Sequence, residues 1–193
     1  RSFGLDPQKK TILIIGGSLG ARTINNCVMQ GLEKIKNSGV QFIWQTGKFY
    51  INEAKACVAQ AGNLPMLYTT DFISDMAAAY SAADLVISRA GAGSISEFCL
   101  LQKPVILVPS PNVAEDHQTK NALALVNKEA ALYVKDSEAT QKLLDLAIAT
   151  VGQADTLTKL STNIAKLAFK DSANVIANEV YKLAVNYKKE HER

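Results

Sequence analysis

The chain has 193 residues, 48% of them hydrophobic, and a formal net charge of +3. That length can bury one sizeable core, while so small and scattered a charge excludes a nucleic-acid binder, which carries a basic stripe or a domain pI above about 9. Cys27, Cys57 and Cys99 are odd in number, far apart and without a C-x-x-C pair, which argues against a disulfide framework or a zinc site and fits a reducing cytosol. No run approaches the ~18 apolar residues of a membrane span, and no charged start followed by an apolar block resembles a signal peptide.

The chain opens on Arg1 rather than methionine, as expected of a piece cut from something longer. After a polar lead-in to Lys10 containing Pro7, the run Thr11 to Ile15 reads as a buried strand ending in the turn Gly16-Gly17-Ser18-Leu19-Gly20-Ala21. The next helix carries Ile24, Val28, Leu32 and Ile35 at spacings of four, four and three, one apolar stripe, and Gly39 closes it. Val40 to Gln45 is a second strand, Gly47 opens a turn, a helix runs from Tyr50 to Ala61, and Pro65 to Thr69 is a short third strand. This rhythm predicts parallel strands joined by right-handed crossovers.

The loop Asp71 to Met76 leads into an alanine-rich helix up to Ala83, and Asp84 to Ser88 is the fourth strand. A helix from Ile95 to Leu101 follows, then a fifth strand, Pro104 to Pro109, bounded by proline at both ends. The polar loop Ser110 to Gln118, a helix to about Asn127 and a sixth strand near Ala131 to Val134 come next. Three helical stretches start near Glu138, Asp155 and Ala173, with Asp155 and Ser172 where N-caps belong.

The stretch Ser88-Arg89-Ala90-Gly91-Ala92-Gly93-Ser94-Ile95-Ser96-Glu97 hands a strand to a helix through glycine. The first N–H groups of a helix lack partners within it and carry about half a positive charge, which suits a phosphate. Gly91 and Gly93 remove the Cβ atoms that would hold a ligand off the backbone, and Glu97, about one turn inside, can accept from a ribose diol. The same residues also fit S-x-x-E, a capping box that needs no ligand. Ligands of open parallel sheets bind at the carboxyl ends of strands, where four loops converge: 16–20, 71–76, 91–97 and 110–118.

Other chemistries fit less well. A dinucleotide site wants an acidic residue at the end of the second strand, but the chain reads Trp44-Gln45-Thr46-Gly47 there. There is no Walker loop and no G-x-S-x-G elbow, and His117 beside Asp116 reads as a polar loop residue rather than a base.

Gly16 to Arg22, Phe72 to Tyr80, Ser88 to Ala92 with Ser96-Glu97, and Asp116 to Ala122 resemble, in order, the successive motifs of the MurG family. That resemblance implies an α/β fold: a Rossmann-like parallel sheet of about six strands with helices on both faces, the C-terminal half of a GT-B glycosyltransferase. Residues 1–193 would be a single donor-binding domain, with the acceptor-binding half, the general base and the family's domain-junction arginine outside the chain. The implied reaction moves N-acetylglucosamine from UDP-N-acetylglucosamine to a lipid-linked muramyl-pentapeptide, with no cofactor and, as no Asp-x-Asp pair occurs, no metal. Family roles would put Ser18 on the diphosphate, the Ile73 backbone on uracil, Ala92, Gly93, Ser94, Ile95 and Ser96 around diphosphate and ribose, Glu97 on the ribose hydroxyls and Gln118 on the sugar. The full-length enzyme would sit peripherally on the cytoplasmic face of the membrane and bind no nucleic acid. Two alternatives stay open: a non-catalytic nucleotide-sugar module and a nucleotide-sugar epimerase of the same fold.

Overall fold

In the computed structural model, which describes residues 3–62, 64–111 and 116–191 with side chains through residue 187, the continuous apolar runs become the middle of a parallel sheet. β1 (Thr11–Ile15), β2 (Gln41–Gln45) and β4 (Leu85–Ser88) are buried at every position, as strands covered on both faces must be. With β3 (Leu67–Thr70), β5 (Val105–Leu107) and β6 (Leu132–Tyr133) they form a sheet of order β3-β2-β1-β4-β5-β6, every pair parallel.

Because side chains alternate across a strand, β1 feeds two cores. Ile12 and Ile14 join Phe42 and Trp44 beneath α1 (Arg22–Gln30), α2 (Leu32–Asn37), α3 (Ile51–Gln60) and α7 (Ala139–Val151). Leu13 and Ile15 join Ile43 and Val86 beneath α4 (Met76–Ala82), α5 (Ala92–Leu101), α6 (His117–Val126) and α8 (Ala154–Ala165). Ile12, Leu13 and Ile14 are fully buried, each contributing about 2 kcal/mol of transfer free energy. The expected sheet with helices on both faces is therefore present.

Three local expectations need correction. The first long helix is two, broken at Gly31: a Cβ there would lie 2.1 Å from Leu144 Cδ1, so α7 packs where a side chain would go. The apolar stripe nevertheless survives the break, with Ile24, Val28, Leu32 and Ile35 all buried. Neither expected N-cap stands at its cap position: Gln153 occupies that of α8, without a side-chain capping bond, and leaves Asp155 inside the first turn, while Ser172 is the first residue of α9 (Ser172–His191). A carboxylate in the first turn still favours the helix through its dipole.

β5 is shorter than the proline-bounded run, because proline cannot donate to the ladder. α9 exposes Val175, Ile176, Val180, Tyr181, Leu183 and Tyr187. No described helix is long and apolar enough to cross a membrane.

Candidate functional site

The strand order reverses between β1 and β4, whose ends meet at the pair Ile15 and Ser88, and a crevice opens there, where doubly wound sheets bind ligands. A cavity of about 240 Å³ is lined by Gly16 and Gly17 from the first loop, Phe72, Ile73 and Met76 from the second, Gly91, Ser94 and Glu97 from the third, and Gln118 from the fourth. All four expected loops therefore contribute, although residues 112–115 of the last lie outside the described residues. A groove of about 650 Å³ continues from it over Ser18, Gly20, Arg22, Ser110 and Asp136. A separate hollow between the N-terminal segment and α4, bordered by Lys10, Thr11 and Asp84, opens at the amino ends of β1 and β4 instead.

The third loop departs from expectation in one respect. α5 starts at Ala92 rather than Ile95, its N-cap is Gly91, and no side chain caps it. Ser94 is thus the third helical residue and Glu97 the sixth, too deep to form the S-x-x-E box. The Glu97 carboxylate instead accepts from the Tyr80 hydroxyl, 3.0 Å from Oε2. The first intrahelical bond runs from Ile95 N–H to the Gly91 carbonyl at 3.0 Å, so the N–H groups of Ala92, Gly93 and Ser94 precede the ladder and point out of the helix start.

Gly91 and Gly93 both have unremarkable φ, and a Cβ on either would meet nothing within 4 Å. Neither the backbone nor the packing requires glycine here, although Gly93 costs its helix about 1 kcal/mol against alanine.

Part-buried hydrogen bonds hold the loops in register. The Gln118 side-chain oxygen accepts from the N–H groups of Ala90 at 3.2 Å and Ser110 at 2.9 Å. Two backbone donors on one oxygen fix the orientation of that amide and turn its NH₂ away from them. Arg89 Nη1 donates to the carbonyls of Val108 and Pro109, at 3.0 and 3.2 Å, and to Asp136. Asp136 also accepts from the Thr23 hydroxyl at 2.9 Å, which ties the start of α1 to the same cluster.

At the end of β2 the Gln45 amide donates to the Gly17 carbonyl and its oxygen accepts from Ile73 N–H, both at 3.2 Å. A neutral bridge therefore occupies the position where a dinucleotide fold would place a carboxylate. Burial, with the Glu97 carboxylate as acceptor, pushes the Tyr80 phenol well above its ordinary range.

The residues singled out in the sequence divide into three groups. Ile73, Ser94, Glu97 and Gln118 line the cavity. Ser18 lies in the adjoining groove. Ala92 and Gly93 are exposed in the first turn of α5, Ile95 packs its side chain toward the core, and the Ser96 hydroxyl donates to the Ala92 carbonyl at 3.0 Å. Sequence reasoning gave no role to Tyr80, Arg89, Gln45 or Asp136. Tyr80 and Arg89 fell within quoted motifs, but nothing in the spacing marked Asp136. Among the described residues, no group of three or more His, Cys, Asp or Glu side chains is placed to hold a metal ion.

A crevice at the switch point of a doubly wound parallel sheet, with an uncapped helix start on one side, puts the chain in the class of α/β ligand-binding folds. Residues 11–180 match the model of the glycosyltransferase family 28 C-terminal domain, and the chain belongs to that family. It is 81% identical over 193 residues to the UDP-N-acetylglucosamine–N-acetylmuramyl-(pentapeptide) pyrophosphoryl-undecaprenol N-acetylglucosamine transferase of Phocaeicola vulgatus, covering 100% of this chain and 51% of that protein. The transferase of the same name from Bacteroides fragilis is 70% identical over 185 residues, 95% of this chain and 49% of that one. The crystal structure of MurG from Acinetobacter baumannii superposes with a TM-score of 0.80 at 31% identity, over 92% of this chain and 51% of that chain. The chain spans about half the length of the curated relatives it matches.

Proposed function

We propose that this chain is the donor-binding half of an inverting glycosyltransferase that moves N-acetylglucosamine from UDP-N-acetylglucosamine to a lipid-linked muramyl-pentapeptide in peptidoglycan synthesis. The observation that carries this reading is the start of α5: uncapped, flanked by glycines that the fold does not require, and facing a cavity that holds Glu97. Membership of the family and the names of the transferases it resembles support the donor and acceptor.

In this reading residues 1–193 form one donor domain. The diphosphate lies against the N–H groups of Ala92, Gly93 and Ser94, with Ser18 reaching it from the first glycine turn. Ile73 N–H is already engaged by Gln45, so its carbonyl meets the base. Glu97 grips the ribose diol, and the Gln118 NH₂, turned away from its two backbone partners, donates to a sugar hydroxyl.

The acceptor hydroxyl attacks the anomeric carbon with inversion, the bond to the β-phosphate oxygen breaks, and UDP departs with the electron pair. Helix-start N–H groups stabilise the charge that develops on it. The general base, the acceptor site and the peripheral contact with the cytoplasmic face of the membrane belong to the other half of the enzyme. The chain alone binds donor without turning it over.

Calorimetric titration with UDP, UDP-N-acetylglucosamine and UDP-glucose tests this directly. Binding of UDP, with UDP-N-acetylglucosamine preferred over UDP-glucose, is the expected result. Failure to bind any of the three overturns it. Joined to an acceptor-binding half, the chain is expected to transfer sugar; conversion of the donor without acceptor would make it an epimerase.

A further inference from the structure

We propose that Tyr80 is a positioning residue for the Glu97 carboxylate, and that the pair makes the site select ribonucleotide over 2′-deoxyribonucleotide donors; this rests on the donor-site reading above. Tyr80 sits in the second half of α4, 5% exposed, with its ring edge-on to Phe98 at a centroid distance of 6.1 Å and an angle of 80°. That packing holds the ring and aims its hydroxyl across to α5, where it donates to Glu97 Oε2 at 3.0 Å. Both side chains line the 240 Å³ cavity. A phenol is protonated near neutral pH in any case, and burial beside the Glu97 carboxylate only pushes it further up, so Tyr80 is the donor of this bond.

Glu97 is long and exposed, and unanchored it would sample many rotamers that binding must then restrict. A ribose presents two adjacent hydroxyls, and a carboxylate that accepts from both has to keep its plane across them. A single hydroxyl makes no such demand, since a rotating carboxylate can follow it. Tyr80 takes one of the roughly four lone-pair sites of the carboxylate and fixes its plane, leaving the others for the diol. Removing the phenolic hydroxyl therefore weakens the grip on a diol more than the grip on a lone 3′-hydroxyl. A simple tie between α4 and α5 would give stability but no such discrimination.

The test is calorimetric titration of the wild-type chain and Tyr80→Phe with UDP and with 2′-deoxy-UDP, with thermal melts alongside. The wild-type chain is expected to prefer UDP by about tenfold, the scale of one charge-assisted hydrogen bond. Tyr80→Phe, which keeps the ring, is expected to lose about fivefold in UDP affinity and under about twofold for the deoxynucleotide, so that the ratio falls toward about two. In a Glu97→Ala background the same change should alter neither affinity. Equal losses on the two nucleotides, or a ratio that stays put while the melting temperature drops, overturn the inference alone. A wild-type chain that binds neither nucleotide overturns the donor-site reading and this inference with it.

Discussion

Two glycine turns lie side by side in this molecule, at the carboxyl ends of β1 and β4, and they use glycine for opposite reasons. In the first, Gly17 and Gly20 have φ of +82° and +89°, a region that side chains other than glycine rarely enter. A Cβ on Gly20 would stand 2.2 Å from the Thr46 carbonyl oxygen, and one on Gly47 just 2.2 Å from Gly20 N. Backbone presses on backbone, so glycine there shapes the chain itself. In the second, Gly91 and Gly93 have ordinary φ and open space around them. Glycine at the β4–α5 turn is surplus to the fold, and Gly91 lines the crevice. A glycine-rich strand-to-helix motif therefore carries no single meaning; its surroundings separate the structural use from the binding one.

The largest effect expected from this contrast is in the first turn. Gly20→Ala combines a left-handed φ with a backbone clash and should cost about 3 kcal/mol of stability, the upper end for one strained residue, read as a lower midpoint in a urea melt. A variant as stable as wild type would remove the structural half of the contrast. Next comes Glu97→Ala in the second turn, where the same exchange of measurements is expected to run the other way. Glu97 is exposed but accepts from the buried Tyr80 hydroxyl, so the melt should lose about 1 kcal/mol, while UDP binding weakens by about 2 kcal/mol, as for a lost hydrogen bond to a charged group. Loss of stability with binding retained would return Glu97 to a purely structural role.

The sheet was legible in the sequence because its central strands are unbroken apolar runs, and only their ends differ from expectation by a residue or two. The break at Gly31 was not, since its cause is Leu144, a side chain far along the chain that takes the space beside it. The start of α5 was misplaced because Gly91 and Gly93 have the composition of a loop, and local propensity yields to tertiary context. That shift also removed the capping-box alternative, which depended on Ser94 preceding the helix. The four loops of the crevice could be found from the parallel-sheet rule, yet the bonds that set them could not. Tyr80 and Glu97 are 17 residues apart on different helices, and Arg89 meets Asp136 47 residues on. Neither separation follows a helical or strand period.

A smaller effect sharpens the contrast further, because one substitution should move stability and binding in opposite directions. Gly93→Ala relieves a helix of a poor former at a position with room for a methyl group, so the chain should gain up to about 1 kcal/mol of stability. The same methyl lies at the helix start, where a diphosphate would approach, and UDP affinity should fall. If both rise together, the open space at Gly93 is not where the donor lies.

The smallest expected effect is none at all, and it concerns what balances the charge of the leaving diphosphate. Either a divalent cation does so, or the helix-start amides of the β4–α5 turn do. Partly buried contacts at a helix terminus contribute up to about 2 kcal/mol, and Ala92, Gly93 and Ser94 offer three N–H groups ahead of the ladder, with no side chain capping them. Together they are of the right size to take the place of a cation. UDP titrated into the chain in magnesium and in EDTA should then give the same Kd. An affinity that collapses in EDTA would mean that the amides alone do not hold the diphosphate, and the β4–α5 turn would lose the role that separates it from its neighbour.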